Sequence, residues 1–526
     1  LGANAGNSIA SGGNYNVLIG DEAGTAITTG DNNVAIGFEA LKTEDEHSHN
    51  VAVGYQALRL QDAGGNAYNV AVGSGAGKAI STGVANTILG GLAGDALTTG
   101  GSNVAIGYNA LTTEDAHGLN VAIGFEALKT LNAGADAYNT AAGYQAGKSV
   151  TTGTFNTLIG GLAGDALADA DKNVAVGALA LSTDTLGDKS TAVGYGALST
   201  QNFSSSVTDT ENTAVGHAAG SVLTTGIKNT LVGAGAGDAF TDADFNVAVG
   251  TNALGNDQKG NRNTAVGHGT LATQQFSSSQ DSGNTAVGFG AGNAITDGVQ
   301  NVFIGIDAAK NATTCNNVVA IGISAGGNST LTGNNNVLVG NSAGAELTSG
   351  VNNIVLGNDA GRAGKPGGAL ITTSNNICIG DSAISGFHAQ VSLTVASDER
   401  DKTDFKDLDL GLDFVNDLKP YTYKWDKRVN YGDSSASDYD FSTQTPDGTH
   451  KEDWLDVGFK AQEVEVLEKA KGYDKDKKTN LLISSVDEGK QYGMRYEKFV
   501  PVLVKAIQEL SAKNDALEAR IKTLEG

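Results

Sequence analysis

Four prolines, two cysteines, two tryptophans and one methionine are all that this 526-residue chain holds of those types, and Phe, Tyr and Trp together make up 6% of it. So few bulky rings leave little material for the three or four thick-cored globular domains that the length would suggest. Cys315 and Cys378 stand far apart, with no CxxC or Cys/His spacing, which speaks against a disulfide framework or a zinc site and for two reduced thiols. No run of 18 or more apolar residues exists, so no bilayer-spanning helix and no membrane insertion is expected. Basic residues number 34 against 58 acidic, a net charge of −24, and phosphate binding needs the opposite sign; nucleic acid is not an expected partner. The chain opens on Leu1-Gly2-Ala3-Asn4, with neither a signal-peptide pattern nor a Met, so it reads as part of a longer sequence.

Glycine is plentiful, 73 residues or about twice ordinary usage, without the three-residue period of collagen. Most glycines obey another rule. The pentad Asn-[Val/Thr/Ile]-x-[Ile/Val/Leu]-Gly first appears at Asn16-Val17-Leu18-Ile19-Gly20 and returns, usually every 17 residues, as far as Gly380. Asn opens it nearly everywhere; Ser190 replaces it once, and Val318 intervenes after Asn317. Ala follows three residues after the Gly, with Thr270 the exception. A longer period is superimposed, since residues 33–102 and 103–172 align over 70 positions. No P-loop or dinucleotide fingerprint emerges from these glycines, and no cofactor is expected.

In Asn33-Val34-Ala35-Ile36-Gly37, Val and Ile are two apart and share one face of a strand, with Ala on the other. Period 2 and recurrent Gly argue for strand over helix. A 17-residue turn cannot bury its own aliphatics. The expectation is therefore a mostly β fold, a β-roll or β-helix of stacked coils with ladders of Val and Ile inside and of Asn at a corner. The pentads resemble those in the β-roll heads of trimeric bacterial adhesins.

Longer intervals, among them 199–211, 273–283 and 361–374, are where coils should bulge and surface recognition should lie. Phe203 and Phe276, in closely similar Phe-Ser-Ser-Ser stretches, and Lys365 are the candidate receptor contacts. Glu44-Asp45 and Glu114-Asp115 read as solvated charged corners, and His47-Ser48-His49 as a solvated loop; no metal site is expected.

Composition breaks near Ser397. Residues 1–396 carry 13 basic and 30 acidic side chains, whereas the shorter 397–526 carries 21 and 28, with both tryptophans, Trp425 and Trp454. The reading is a fibre shaft over 1–396 and a small α/β domain over 397–526. Near its end Val500, Ile507, Asn514 and Ile521 occupy one seam position and Leu503, Leu510, Leu517 and Leu524 the other, a heptad pattern that predicts a coiled-coil helix over about 499–525.

Ser397-Asp398-Glu399-Arg400-Asp401-Lys402-Thr403 resembles the Ser-Asp-x-Arg-x-Lys opening of the intramolecular chaperone domain of phage endosialidases and tail fibres, peptidase family S74. Leu418-Lys419-Pro420-Tyr421, Gly458-Phe459-Lys460-Ala461-Gln462-Glu463-Val464 and the stretch from Tyr496 to Ile507 extend the resemblance in order. It implies a homotrimeric fibre of the virion, made in the host cytoplasm, that meets a cell-surface glycan or protein and joins other tail proteins through its N-terminal side. It further implies that Ser397 is a nucleophile, Lys402 its base and Ala396–Ser397 the scissile bond. Asp401 departs from the aliphatic residue common before the lysine. On a helix, five positions would set Ser397 and Lys402 about 140° apart, so the pair must meet through a turn or between chains. A bacterial trimeric adhesin, or a tailspike whose glycan-degrading domain lies outside this sequence, are the other readings.

Overall fold

The computed structural model describes residues 2–365, 368–384, 388, 390, 395–432, 439–486 and 490–526. Contacts group the chain into two units, Leu1–Asn335 and Asn336–Gly526. The protein is mostly β, with a stacked β-solenoid of about 20 turns.

In the first unit a three-residue strand forms at each pentad, from Val17–Ile19 to Val319–Ile321. Each pairs in parallel with its equivalent in the next coil, as Val34↔Val51, Ala35↔Ala52 and Ile36↔Val53. β-Branched residues suit these strands, and Gly ends each one. Gly124, at φ +141, shows why: a Cβ there would stand 2.1 Å from the carbonyl oxygen of Gly143 in the next coil. Neither the dihedral nor the spacing admits a side chain.

Asparagine ties the coils together. Asn156 donates its backbone N–H to Asn139 Oδ1 (2.9 Å), its Nδ2 donates to Ala170 O (2.7 Å), and its Oδ1 accepts the N–H of Asn173 (2.9 Å). The same pattern runs through Asn69, Asn86, Asn229 and Asn246. At the irregular pentad the ladder position belongs to Val318, whose N–H donates to Asn301 Oδ1 (2.9 Å), while Asn317 sits before it at φ +56. The spacing from Gly305 to Gly322 is still 17, so no residue is added and Val318 replaces Asn in the ladder.

The inside of the coil is the reverse of the sequence expectation. Ala35, Ala52, Ala71 and Ala105 at the strand centres are fully buried, and the flanking Val and Ile point outward. Val17 and Ile19 are each 45% exposed and Ile123 40%. A 17-residue coil encloses a narrow interior, which Ala and the Leu or Ile of the return path fill. Aromatic rings add to the outer surface in stacked pairs, Tyr108–Phe125 at 5.7 Å and Phe125–Tyr144 at 5.5 Å.

Where a strand centre is large, the facing residue shrinks. Leu158 lies so close to Gly147 and Gly164 that a Cβ on either would meet it at 2.6 and 2.8 Å. Phe303 is matched by Gly292 in the same way, at 2.6 Å. Ala-centred coils carry Leu there where the next centre is also Ala, as Ala35 with Leu41, and Gly where the next centre is large, as Ala71 with Gly77 before Ile88. Close packing at constant volume thus underlies the longer sequence period.

The second unit opens on three more such strands, Val337–Val339, Ile354–Leu356 and Ile377–Ile379, again parallel and in register. After them come α1 (Leu412–Asp417), α2 (Ala461–Ala470) and α3 (Phe499–Glu525). Two antiparallel pairs join them, Tyr421–Tyr423 with Asp456–Gly458 and Ile483–Val486 with Gln491–Met494. Leu410, Phe414, Val464, Leu482, Ile483, Phe499 and Val502 form the core. Glu509 of α3 accepts the N–H of Leu412 (2.7 Å) and so caps α1. Glu468 of α2, 1% exposed, accepts from the N–H groups of Leu481, Leu482 and Ile483 (2.9, 2.7 and 3.2 Å). No helix among the described residues is long and apolar enough to cross a membrane.

Two substitutions test these ties. Asn156→Ala strands the Asn173 N–H and the Ala170 carbonyl, and should lower the unfolding free energy in a denaturant titration by about 3 kcal/mol. Glu468→Ala strands three N–H groups and should cost about 4 kcal/mol, with Glu468→Gln, which keeps one acceptor oxygen, costing less.

Candidate functional site

Ser397 and Lys402 meet through a short turn. Asp398 stands at the head of a 3₁₀ turn over Glu399–Asp401, where its carboxylate accepts the N–H of Arg400 (2.9 Å). The Arg400 guanidinium returns to the same carboxylate at 2.6 Å and holds it below the usual carboxylate range. Lys402 closes the turn by donating its N–H to Glu399 O (3.1 Å) and leaves in an extended conformation. Its side chain therefore folds back along the turn. Lys402 Nζ reaches Ser397 Oγ at 2.5 Å and Ser397 O at 3.2 Å.

Within this chain the pair meets through the turn. The acidic and basic groups between them pair with each other: Asp398 engages Arg400, and Asp401 forms no ion pair with Lys402 among the described residues. Both Ser397 and Lys402 are exposed. A hydroxyl in contact with an amine has the parts of a nucleophile and its base.

The C-terminal helix divides its faces. Phe499, Val502 and Ala506 are buried against the core of their own unit. The heptad seam lies apart from them and is uncovered: Val500 is 61% exposed, Ile507 65%, Leu510 54%, Leu517 56% and Ile521 52%. Asn514 in the same seam donates to Glu518 Oε1 (3.2 Å) on its own helix.

The candidate receptor contacts fare differently from one another. Phe276 is only 9% exposed, and its N–H donates to the buried Asp257 (3.3 Å); it is not the exposed aromatic expected from its sequence. Phe203 is half-buried, and its N–H makes the equivalent bond to Asp184 (3.0 Å). The serines after both rings are exposed. Lys365 is half-buried, with Nζ 3.5 Å from Ser382 Oγ.

The acidic corners also depart from expectation. Glu44 and Glu114 are fully buried, and each takes the backbone N–H of the histidine three residues on, His47 at 3.1 Å and His117 at 3.2 Å. The turn directs the Glu inward and leaves the neighbouring Asp outside. A sequence signal for this existed: Asp184 and Asp257 fall at the same place in the longer repeat, and a carboxylate kept at one register position suggests an inward role.

A long solenoid followed by a compact α/β unit with an uncovered helix seam is the build of a fibre with a chaperone domain. Residues 397–472 match the family described as chaperone of endosialidase, Peptidase S74, and this segment is such a domain. No curated protein matches the chain.

Proposed function

We propose that the protein is one subunit of a homotrimeric phage tail fibre for host attachment, whose C-terminal domain assembles three chains and is then released by cleavage before Ser397. The observation that carries this reading is the uncovered heptad seam of α3, on a helix whose other face is anchored in the chaperone domain. Such a seam is stable only when a like helix covers it, and Asn514 within it would fix the register. The outward ladder of Val, Ile and aromatic residues along the solenoid supports the same reading, since a long apolar stripe wants a partner. Aligning three chains at a coiled coil first would spare repetitive coils from pairing out of register.

Release uses the Ser397–Lys402 contact. Lys402 Nζ takes the proton of Ser397 Oγ, which attacks the carbonyl carbon of Ala396. The C–N bond breaks as the Ser397 nitrogen departs as an amine, taking up a proton. Water then hydrolyses the ester at Ser397 Oγ, leaving a carboxylate on Ala396. In one chain the pair is bathed in water; a neighbouring chain that covers it would favour the neutral amine, so cutting would follow assembly. The shaft left behind would join tail proteins on its N-terminal side and meet a host-surface glycan or protein.

Intact mass and denaturing electrophoresis test this. The wild type should give fragments 1–396 and 397–526, both absent in Ser397→Ala and in Lys402→Ala. Leu510→Asp with Leu517→Asp should slow the cut at least about tenfold by opening the seam. A single full-length species in the wild type would overturn the release step.

A further inference from the structure

One place in the longer repeat holds a carboxylate four times over, at Glu44, Glu114, Asp184 and Asp257, each fully buried. Burying a carboxylate requires donors, and the four turns meet that need differently. Asp184 Oδ1 takes the N–H groups of Gly187 (3.1 Å) and Phe203 (3.0 Å), and Oδ2 takes the amide of Gln201 (2.6 Å). Asp257 repeats this with Gly260, Phe276 and Gln274. Glu114 gives Oε1 to His117 and Oε2 to the N–H of Ala133 (3.3 Å).

Glu44 breaks the series. Its Oε1 takes the His47 N–H and faces His47 Nδ1 at 3.0 Å, but Oε2 is buried with no hydrogen-bond partner. Gln61, which stands where Gln201 and Gln274 stand, turns its amide to Ser81 O (3.0 Å) instead. Around this carboxylate the loop gathers further donors. Asp62 Oδ1 is 4.0 Å from His47 Nδ1, and Glu44, Asp45, His47 and Asp62 each bring a ligand atom within 4.8 Å of all the others. The matching turn at Glu114 offers three such groups, with Asn132 in place of the fourth acid.

We propose that Glu44, Asp45, His47 and Asp62 form a binding site for a divalent transition-metal ion, with Zn²⁺ as its probe. Three carboxylates around one imidazole supply more negative charge than one divalent ion brings. The imidazole favours zinc and its neighbours over calcium and magnesium, which take oxygen alone. Tetrahedral ligation at about 2.0–2.2 Å needs donors about 3.4 Å apart. The exposed Asp62 side chain, 58% accessible, is free to swing in and close that gap. The ion would supply the positive partner that the amide of Gln201 and that of Gln274 supply to the other corners.

Equilibrium dialysis of the full chain against Zn²⁺ tests the site, with circular dichroism to check that each variant folds. The wild type should take up one ion per chain at this corner. Asp62→Asn, an exposed change, and His47→Gln should each weaken that uptake at least about tenfold. His117→Gln should leave it unchanged. With Co²⁺ in place of Zn²⁺, a visible absorption band should appear in the wild type and disappear in Asp62→Asn. Absence of uptake by the wild type, or uptake that survives both Asp62→Asn and His47→Gln, would overturn the proposal.

Discussion

The narrowness of a 17-residue coil is the constraint on which the rest of the structure depends. Its interior admits Ala at most strand centres, and a large residue there only where a facing Gly makes room, as Leu158 has between Gly147 and Gly164. The bulkier Val and Ile of every pentad must therefore face out. A solenoid built this way stacks well along its length and leaves an apolar stripe along its side. Its own packing creates the demand for a partner.

Polar groups obey the same confinement. A ladder Asn such as Asn156 bonds the coils before and after it, which makes the repeat cooperative along the stack. Each buried corner acid must find donors within its own turn and the next. The four corners solve that problem in distinct ways, and Glu44 is the one left with an unpaired oxygen. In the second unit Glu468 does similar work by holding three successive N–H groups of a hairpin.

Much of this was legible in the sequence. Pentad spacing gave the coils, the Asn and Gly positions gave the ladder and the close approach, and the ordered blocks after Ser397 pointed to the chaperone domain. Helical geometry excluded a single helix between Ser397 and Lys402 and left a turn or a contact between chains as the two routes. Three features were not legible. Period 2 says which residues share a face and not which face is inside; that depends on how the coil closes, which is a tertiary property. The burial of Phe276, whose N–H donates to Asp257, depends on a fold of the loop that the sequence does not show, whereas the inward Glu44 was signalled only by the carboxylate recurring at its place. The ladder position of Val318 is occupied by an apolar residue in place of Asn, and the neighbouring Asn317 masked that replacement.

Outward apolar surface on both the coils and α3 is what further copies of the same chain would cover in the proposed trimer. Sedimentation equilibrium of the intact Ser397→Ala protein, in which the proposed cut is blocked, measures this most directly. A trimer should give a single species of three times the chain mass, persisting on dilution to micromolar concentration. A monomer at the chain mass, with the α3 seam still open to solvent, would contradict it.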